Sequence, residues 1–394
     1  MKIVQAISHY VPAYRFGGPL QVAHALGKEL VRRGHEVTVC CTNQADETRN
    51  LGFPLDEPVG IDGVQVYYES VARWRRWGYS PALKRRLHDL VADCDAVIVH
   101  SHFQFAGWAG AREARRAEKP YFVYAHGSLK RDSLRASSGM AKRAYLALLE
   151  RANLRGARHV VFNAEEELAD SLYADNGLVV PNGVSAAEFS QLPARGHFRA
   201  RHPELANRTL FLFLGRIDIQ QKAVDLIVES FAELAASNAE AMLLLAGPSE
   251  GADAGLVSEL IRERGLEARV RFMGLVSGAA KLELLRDADV FLMPSRYEGL
   301  SIALLEAMAS GLPVILSDRA GLHRQVERHG CGIVVSPTVA PVTAAMMRLS
   351  DPALRQLMGD AGRALVLREH PWSVIAQRLE EVIRSCLNQP SSRE

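Results

Sequence analysis

The chain has 394 residues, of which 48% are hydrophobic and 23% charged, with a net charge of +2. That composition excludes a disordered, collagen-like or disulfide-stapled chain, and the length predicts two or three domains. Five cysteines with no CxxC pair (Cys40, Cys41, Cys94, Cys331, Cys386) point to free thiols in a reducing compartment, not to a disulfide framework or a zinc site.

In chain order, MKIVQAISHY has too short an apolar stretch for a signal-peptide core and reads as a first strand. QVAHALGKELVRRG follows as a helix with Val22, Ala25, Leu26 and Leu30 on one face, stopped by Gly34. Further strands are expected at EVTVCC, VQVYYE, AVIVHS, YFVYAHG and HVVF, the later ones apolar throughout, as parallel strands covered on both faces are. Between Arg73 and Arg158 lie 18 Lys/Arg against 7 Asp/Glu. Part of this region, RWRRWGYSPALKRR, holds six basic residues, two tryptophans and no acid. Such a patch attracts anions, and Trp74 and Trp77 favour the face of an anionic membrane; the plainer alternative is a solvated basic surface. No apolar run reaches the roughly 18 residues of a spanning helix, so the expected location is cytoplasmic, at most on the inner face of the plasma membrane.

Pro, Gly and Ser break the periodicity in PNGVSAAEFSQLPARGHFRAR, which places a domain boundary there. The alternation then resumes with strands TLFLFLG, AMLLLAG, VRFMG, VFLMPS, PVILSD and GIVV, each followed by a helical segment. SVIAQRLEEVIRSCL forms a last helix with no strand after it. The pattern predicts an α/β protein of two Rossmann-like, doubly wound parallel sheets with ligands beyond the C-terminal strand ends. The expected domains are 1–190, 191–370 and a terminal helical segment 371–394.

Three loops carry chemistry. Gly17-Gly18-Pro19 precedes a helix, where glycines allow close approach of a ligand and the helix start offers N–H groups to an anion. Arg216 and Lys222 bracket the loop after TLFLFLG, a cation pair suited to a diphosphate in a cationic pocket. In RYEGLSIALLEAMASG, a helix over 301–310 presents the amides of Gly299, Leu300 and Ser301 to phosphate oxygens. Glu306 within it suits the two hydroxyls of a ribose, and Glu298 a sugar hydroxyl. One anion site between two hydroxyl acceptors fits a sugar nucleotide better than a bare phosphate.

The spacing Glu298-x7-Glu306, with Arg216 and Lys222 upstream, GGPxxxAxxLxxxLxxRGHEVTV at the start and PNGV before the linker, resembles the family 4 retaining glycosyltransferases. Their glycosyltransferase-B fold sets two Rossmann-like domains facing each other across a cleft. PYFVYAHGSLKRDS resembles the branch common among bacterial surface-polysaccharide enzymes. The resemblance implies transfer of a hexose from UDP- or GDP-hexose to a glycan or lipid-linked glycan, with no cofactor or metal. It also implies a C-terminal helix crossing back to the first domain. By position, Gly17 and Gly18 match glycines near the donor phosphates, and His126 a histidine beside the transferred sugar. Arg216 and Lys222 match the diphosphate cations, Glu298 the sugar ligand, Gly299 to Ser301 the amide cradle and Glu306 the ribose ligand. Three departures stand out: Ala223 where glycine is common after the lysine, His323 and Arg324 where a carboxylate is usual, and Lys130-Arg131 after the Gly127-Ser128-Leu129 motif.

Asp93/Asp95 and Asp287/Asp289 resemble a metal motif but stand where a helix gives way to a buried strand, which favours a structural role. His100 and His102 alternate at a strand end and are expected on the rim near the acceptor. Nothing matches a P-loop, a GxSxG elbow or a nucleic-acid module. Two rival readings share these features: a nucleotide-sugar epimerase of the same fold, and a non-catalytic sugar-nucleotide scaffold.

Overall fold

The computed structural model describes residues 1–100, 102–129, 140, 144–249 and 251–388. They divide into two units, one of Met1–Asn182 with the C-terminal helix Trp372–Asn388, the other of Gly183–Pro371.

The first unit is built on β1 (Lys2–Ala6), β2 (Glu36–Thr42), β3 (Val59–Ile61), β4 (Val64–Glu69), β5 (Ala96–His100), β6 (Tyr121–Tyr124), β7 (His159–Phe162) and β8 (Gly177–Val179). They lie in the order β3-β4-β2-β1-β5-β6-β7-β8, all parallel except β3 against β4. β3 escapes a periodicity reading because it is three residues long. Its signal is the turn: Asp62 and Gly63 both sit at positive φ, 50° and 86°, as a two-residue hairpin requires. β8 is equally short and begins with glycine.

Successive side chains of β1 point to opposite faces, so Gln5 and Ala6 report on different helices. A Cβ on Gly110 would lie 2.4 Å from Ala6, which places helix Phe105–Arg116 close on one face. A Cβ on Gly27 would lie 2.8 Å from Gln5 Nε2, which places helix Gly18–Arg32 close on the other. Helix Trp372–Asn388 packs on helix Gly18–Arg32 and buries Ile375, Leu379 and Ile383, while its Glu380 pairs with Arg33.

The second unit is wholly parallel: β9 (Thr209–Leu214), β10 (Ala241–Ala246), β11 (Val270–Gly274), β12 (Val290–Met293), β13 (Val314–Ser317) and β14 (Gly332–Val335), in the order β11-β10-β9-β12-β13-β14. Alternation splits its core in two. Leu210, Leu212 and Leu244 join one apolar cluster, Phe211, Phe213, Leu243 and Leu245 the other. The units part at Asn182/Gly183 rather than at 190/191 because helix Ala186–Ser190 delivers Phe189 into the second unit's core, with Phe198 following.

In both sheets the order of strands reverses beside the first strand, between β1 and β5 and between β9 and β12. These are the points where doubly wound sheets open a crevice for ligands. Past the ends of β9 and β10 backbone packs directly on backbone. Gly247, at φ 146°, would place a Cβ 1.8 Å from the carbonyl oxygen of Gly215, the residue that follows β9. Gly247→Ala is therefore expected to destabilise the protein by more than about 2 kcal/mol. Gly255→Ala, in open space within helix Ala252–Glu263, is expected to stabilise it by about 0.5–1 kcal/mol. Chemical denaturation of the two variants checks the contrast.

Candidate functional site

The loop from β9 to helix Val224–Ser237 is turned by Asp218, whose carboxylate accepts from the amides of Gln221 (2.6 Å) and Lys222 (3.4 Å). Arg296, beyond β12, fastens this loop to its own. Its amide donates to the Gln221 carbonyl at 2.9 Å, and its guanidinium grips Asp225 through two bonds of 2.8 and 2.7 Å. Ala223 adopts the left-handed conformation (φ 57°, ψ 42°), which explains why glycine suits this position. The alanine keeps that turn, and its methyl is buried in the apolar cluster.

Beyond β12 the chain passes Glu298-Gly299-Leu300-Ser301 and enters helix Ile302–Ala309, one residue inside the expected 301–310 at each end. Ser301 is the N-cap, but its hydroxyl makes no capping bond. The buried Leu300 side chain anchors the turn, and the Gly321 amide donates to the Gly299 carbonyl at 3.1 Å. The helix start thus lies beside the loop that carries Lys222.

The two loops meet through Lys222 and Glu298, which form an ion pair with side chains only 17% and 11% exposed. Arg216 is instead 64% exposed and bonds to Asp218 at 2.8 Å. Glu306 is buried one turn into the helix, with the Lys281 ammonium 2.6 Å away. Burial pushes the Glu306 carboxyl up, and Lys281 offsets part of that shift. Arg216, Lys222, Lys281 and Arg296 each have a carboxylate partner. Lys222 and Lys281, largely taken out of water, need one. Asp218, Lys281 and Arg296 were missed from the sequence, for nothing in their spacing marks them. Their roles come from side chains that meet only in the fold.

In the first unit Gly17 caps helix Gly18–Arg32 at φ 89°, a conformation that favours glycine, with open space where a Cβ would stand. Near it His9 stacks on Phe16 at 3.5 Å. A cavity of about 800 Å³ is lined by these two rings with Trp74, His102, His126 and Ser128 among others. His126 follows β6 at positive φ (47°). Its turn is held by Glu167, whose carboxylate accepts from the Gly127 amide at 2.6 Å and the Asn163 amide at 2.8 Å. Burial lowers His9 and His126 to about 4 and His102 to about 3, so these imidazoles are neutral at pH 7.

Several expectations change in the structure. His100 lies not on a rim but fully buried, bonded to Gln5 and His126, because β5 is an interior strand. Trp77 is packed among Tyr79, Phe105 and Tyr145 and donates to the Tyr145 hydroxyl at 3.0 Å, whereas Trp74 is 66% exposed. Within the basic segment Arg75 binds carbonyls of Glu47 and Arg49, and Arg86 pairs with Glu69. Asp93 pairs with Lys2, Asp287 accepts from the amides of Gly196 and Arg199, and Asp289 pairs with Arg199, which gives these carboxylates structural work. His323 bonds through Nδ1 to the Ala320 carbonyl at 2.8 Å. Lys130 and Arg131 lie outside the described residues. Among the described residues no helix is long and apolar enough to cross a membrane.

Residues 16–188 match the family Glycosyltransferase Family 4, and residues 195–365 match Glycosyl transferases group 1. The chain is similar to a D-inositol 3-phosphate glycosyltransferase of Kineococcus radiotolerans, 31% identical over 91% of this chain and 88% of that one. It is also similar to a phosphatidyl-myo-inositol mannosyltransferase of Mycobacterium leprae, 28% identical over 93% and 92% of the two chains. In fold it resembles Anabaena HepE, crystallised in complex with UDP and glucose, with a TM-score of 0.77 at 17% identity over 98% of this chain and 100% of that one.

The Glu306–Lys281 pair gives a stability test. Lys281→Met leaves a buried carboxylate without its cation and is expected to cost about 2–4 kcal/mol at pH 8. Glu306 takes up a proton more readily once its partner is gone, so the loss shrinks at pH 5. Adding Glu306→Gln restores part of the stability at pH 8. Thermal melts of the single and double variants at both pH values check this.

Proposed function

The chain belongs to glycosyltransferase family 4 and has the glycosyltransferase-B fold, and from that premise we propose that it transfers a hexose from a nucleotide-sugar, with retention, to a hydroxyl of a lipid-linked glycan in bacterial polysaccharide biosynthesis. The observation that carries this reading is the Lys222–Glu298 pair, set beside the start of helix Ile302–Ala309 with Glu306 one turn inside it. UDP-hexose is the first donor to test, ahead of GDP-hexose, since the Anabaena neighbour holds UDP and glucose.

Breaking the anomeric C–O bond builds positive charge on the sugar and negative charge on the departing diphosphate. On donor binding Lys222 exchanges the Glu298 carboxylate for a diphosphate oxygen, and Glu298 is freed to accept from a sugar hydroxyl. Arg216 and the amides of Gly299, Leu300 and Ser301 share the leaving-group charge, and Gly17 and Gly18 let backbone approach the phosphates. Glu306 accepts from the ribose hydroxyls. With the leaving-group charge met by protein groups, the reading calls for no divalent ion. The acceptor hydroxyl attacks from the face that the diphosphate leaves, and a phosphate oxygen takes its proton. His126, a neutral imidazole, contacts the transferred sugar without acting as the base. The cavity of the first unit, with the exposed Trp74 at its wall, takes the acceptor glycan. The Arg73–Arg86 segment supplies the contact with the anionic inner face of the membrane.

Lys222→Ala is expected to lower transfer at least 100-fold, the size of effect that loss of one leaving-group contact (about 3 kcal/mol) produces, with its circular dichroism unchanged. Activity within a few fold of wild type removes Lys222 from this role. The same assay reads the rivals: an epimerase converts donor without acceptor, and a scaffold releases no nucleoside diphosphate. For the membrane contact, co-sedimentation is expected with vesicles containing anionic lipid and not with neutral ones. Equal partitioning returns Arg73–Arg86 to a solvated surface.

A further inference from the structure

The first unit carries three locally unfavourable residues in one line. Gln5 on β1 and His100 on β5 are both 0% exposed, in adjacent central strands whose other buried residues are apolar. Burying such groups costs free energy unless hydrogen bonds are made. Gly27 stands inside helix Gly18–Arg32, where glycine costs about 1 kcal/mol relative to alanine, and a Cβ there would lie 2.8 Å from Gln5 Nε2. The helix thus gives up a side chain to make room for a polar group in the core. Breaches of local preference that support one another are expected at functional sites.

The line ends at the cavity. Gln5 Oε1 lies 2.9 Å from His100 Nε2, and His100 Nδ1 lies 3.0 Å from Nε2 of His126, which lines the cavity. Proton positions follow in order. A carbonyl oxygen only accepts, so the His100 proton is on Nε2. A neutral imidazole has one proton, so His100 Nδ1 is a lone pair. The hydrogen of the ring-to-ring bond therefore belongs to His126 Nε2, which leaves His126 Nδ1 as a lone pair.

We propose that Gln5 and His100 are positioning residues that fix the tautomer of His126, so that its Nδ1 serves only as a hydrogen-bond acceptor for a hydroxyl of the transferred sugar. This rests on the role given to His126 above. It adds that the histidine discriminates between a hydroxyl, which donates, and a group that only accepts, such as an ether oxygen. The other titratable groups around the pair are Tyr124, stacked on His100 at 4.9 Å, His102, bonded to Ser128 Oγ at 2.9 Å, and Glu167, bonded to the Gly127 amide.

The test combines nitrogen-detected NMR of the ligand-free full chain at pH 7 with the pH profile of kcat/KM for Gln5→Leu and Gln5→Glu. A protonated Nε2 and bare Nδ1 on His126 are expected. Gln5→Leu, which cuts the line, is expected to lower kcat/KM at least tenfold. Gln5→Glu keeps an acceptor and is expected to stay within threefold of wild type at pH 8. Its carboxylate favours the protonated ring pair, so the acidic limb of its profile moves up by at least one pH unit. A purely structural Gln5 would leave that limb in place. A proton on Nδ1 of His126 overturns the proposal whatever the activity. So does a Gln5→Leu enzyme within twofold of wild type, or a Gln5→Glu profile that superimposes on it. If wild type transfers no sugar, the function proposed above fails, while the NMR result still decides the tautomer.

Discussion

A cation held out of water must have a carboxylate beside it, and the second unit is arranged around that constraint. Lys222 and Glu298 come from loops that follow β9 and β12, the two strands between which the sheet order reverses. Their pairing brings a flexible ammonium to a defined point next to a helix start. Arg296 binds the same two loops from behind, through Asp225 and the Gln221 carbonyl. Breaking a largely buried pair costs several kcal/mol, but exchanging one anionic partner for another need not. A diphosphate is such a replacement partner, and a site that stores its lysine on a glutamate is ready for it.

The fold was largely legible because buried parallel strands have a plain signature. Apolar runs such as TLFLFLG and AMLLLAG leave few alternatives, and helices separate them at regular distances. The sequence is silent where the physics is local or tertiary. β3 is too short for periodicity and is marked only by its Asp62-Gly63 turn, while β8 has neither length nor a turn of that kind. The boundary expected at 190/191 falls earlier because Phe189 and Phe198 are core residues, although the segment reads as a linker.

The site was legible as residue types and not as pairs. Glu298 and Glu306 were recognisable by spacing, but their cations, Lys222 and Lys281, are far away in sequence. Reading the cations alone therefore suggested a pocket more positive than the one that forms. The first unit shows a related effect. Its polar line from Gln5 through His100 to His126 runs across three elements, and each member taken singly looks like an ordinary strand or loop residue. The basic segment, conspicuous in the sequence, is partly consumed by the fold itself, since Arg75, Arg86 and Trp77 have internal partners.

The two units solve one problem with different means. The second gathers charge and neutralises it in pairs, as suits a ligand that brings its own charge. The first keeps three neutral imidazoles along its cavity, as suits hydroxyl groups, with Arg75 and Arg76 also on its wall. The most direct measurement is a crystal structure of the protein with bound UDP-hexose, read at one side chain. The account predicts the Lys222 ammonium on a diphosphate oxygen and the Glu298 carboxylate on a sugar hydroxyl. A bound donor with the Lys222–Glu298 pair still closed, and the diphosphate held elsewhere, contradicts it.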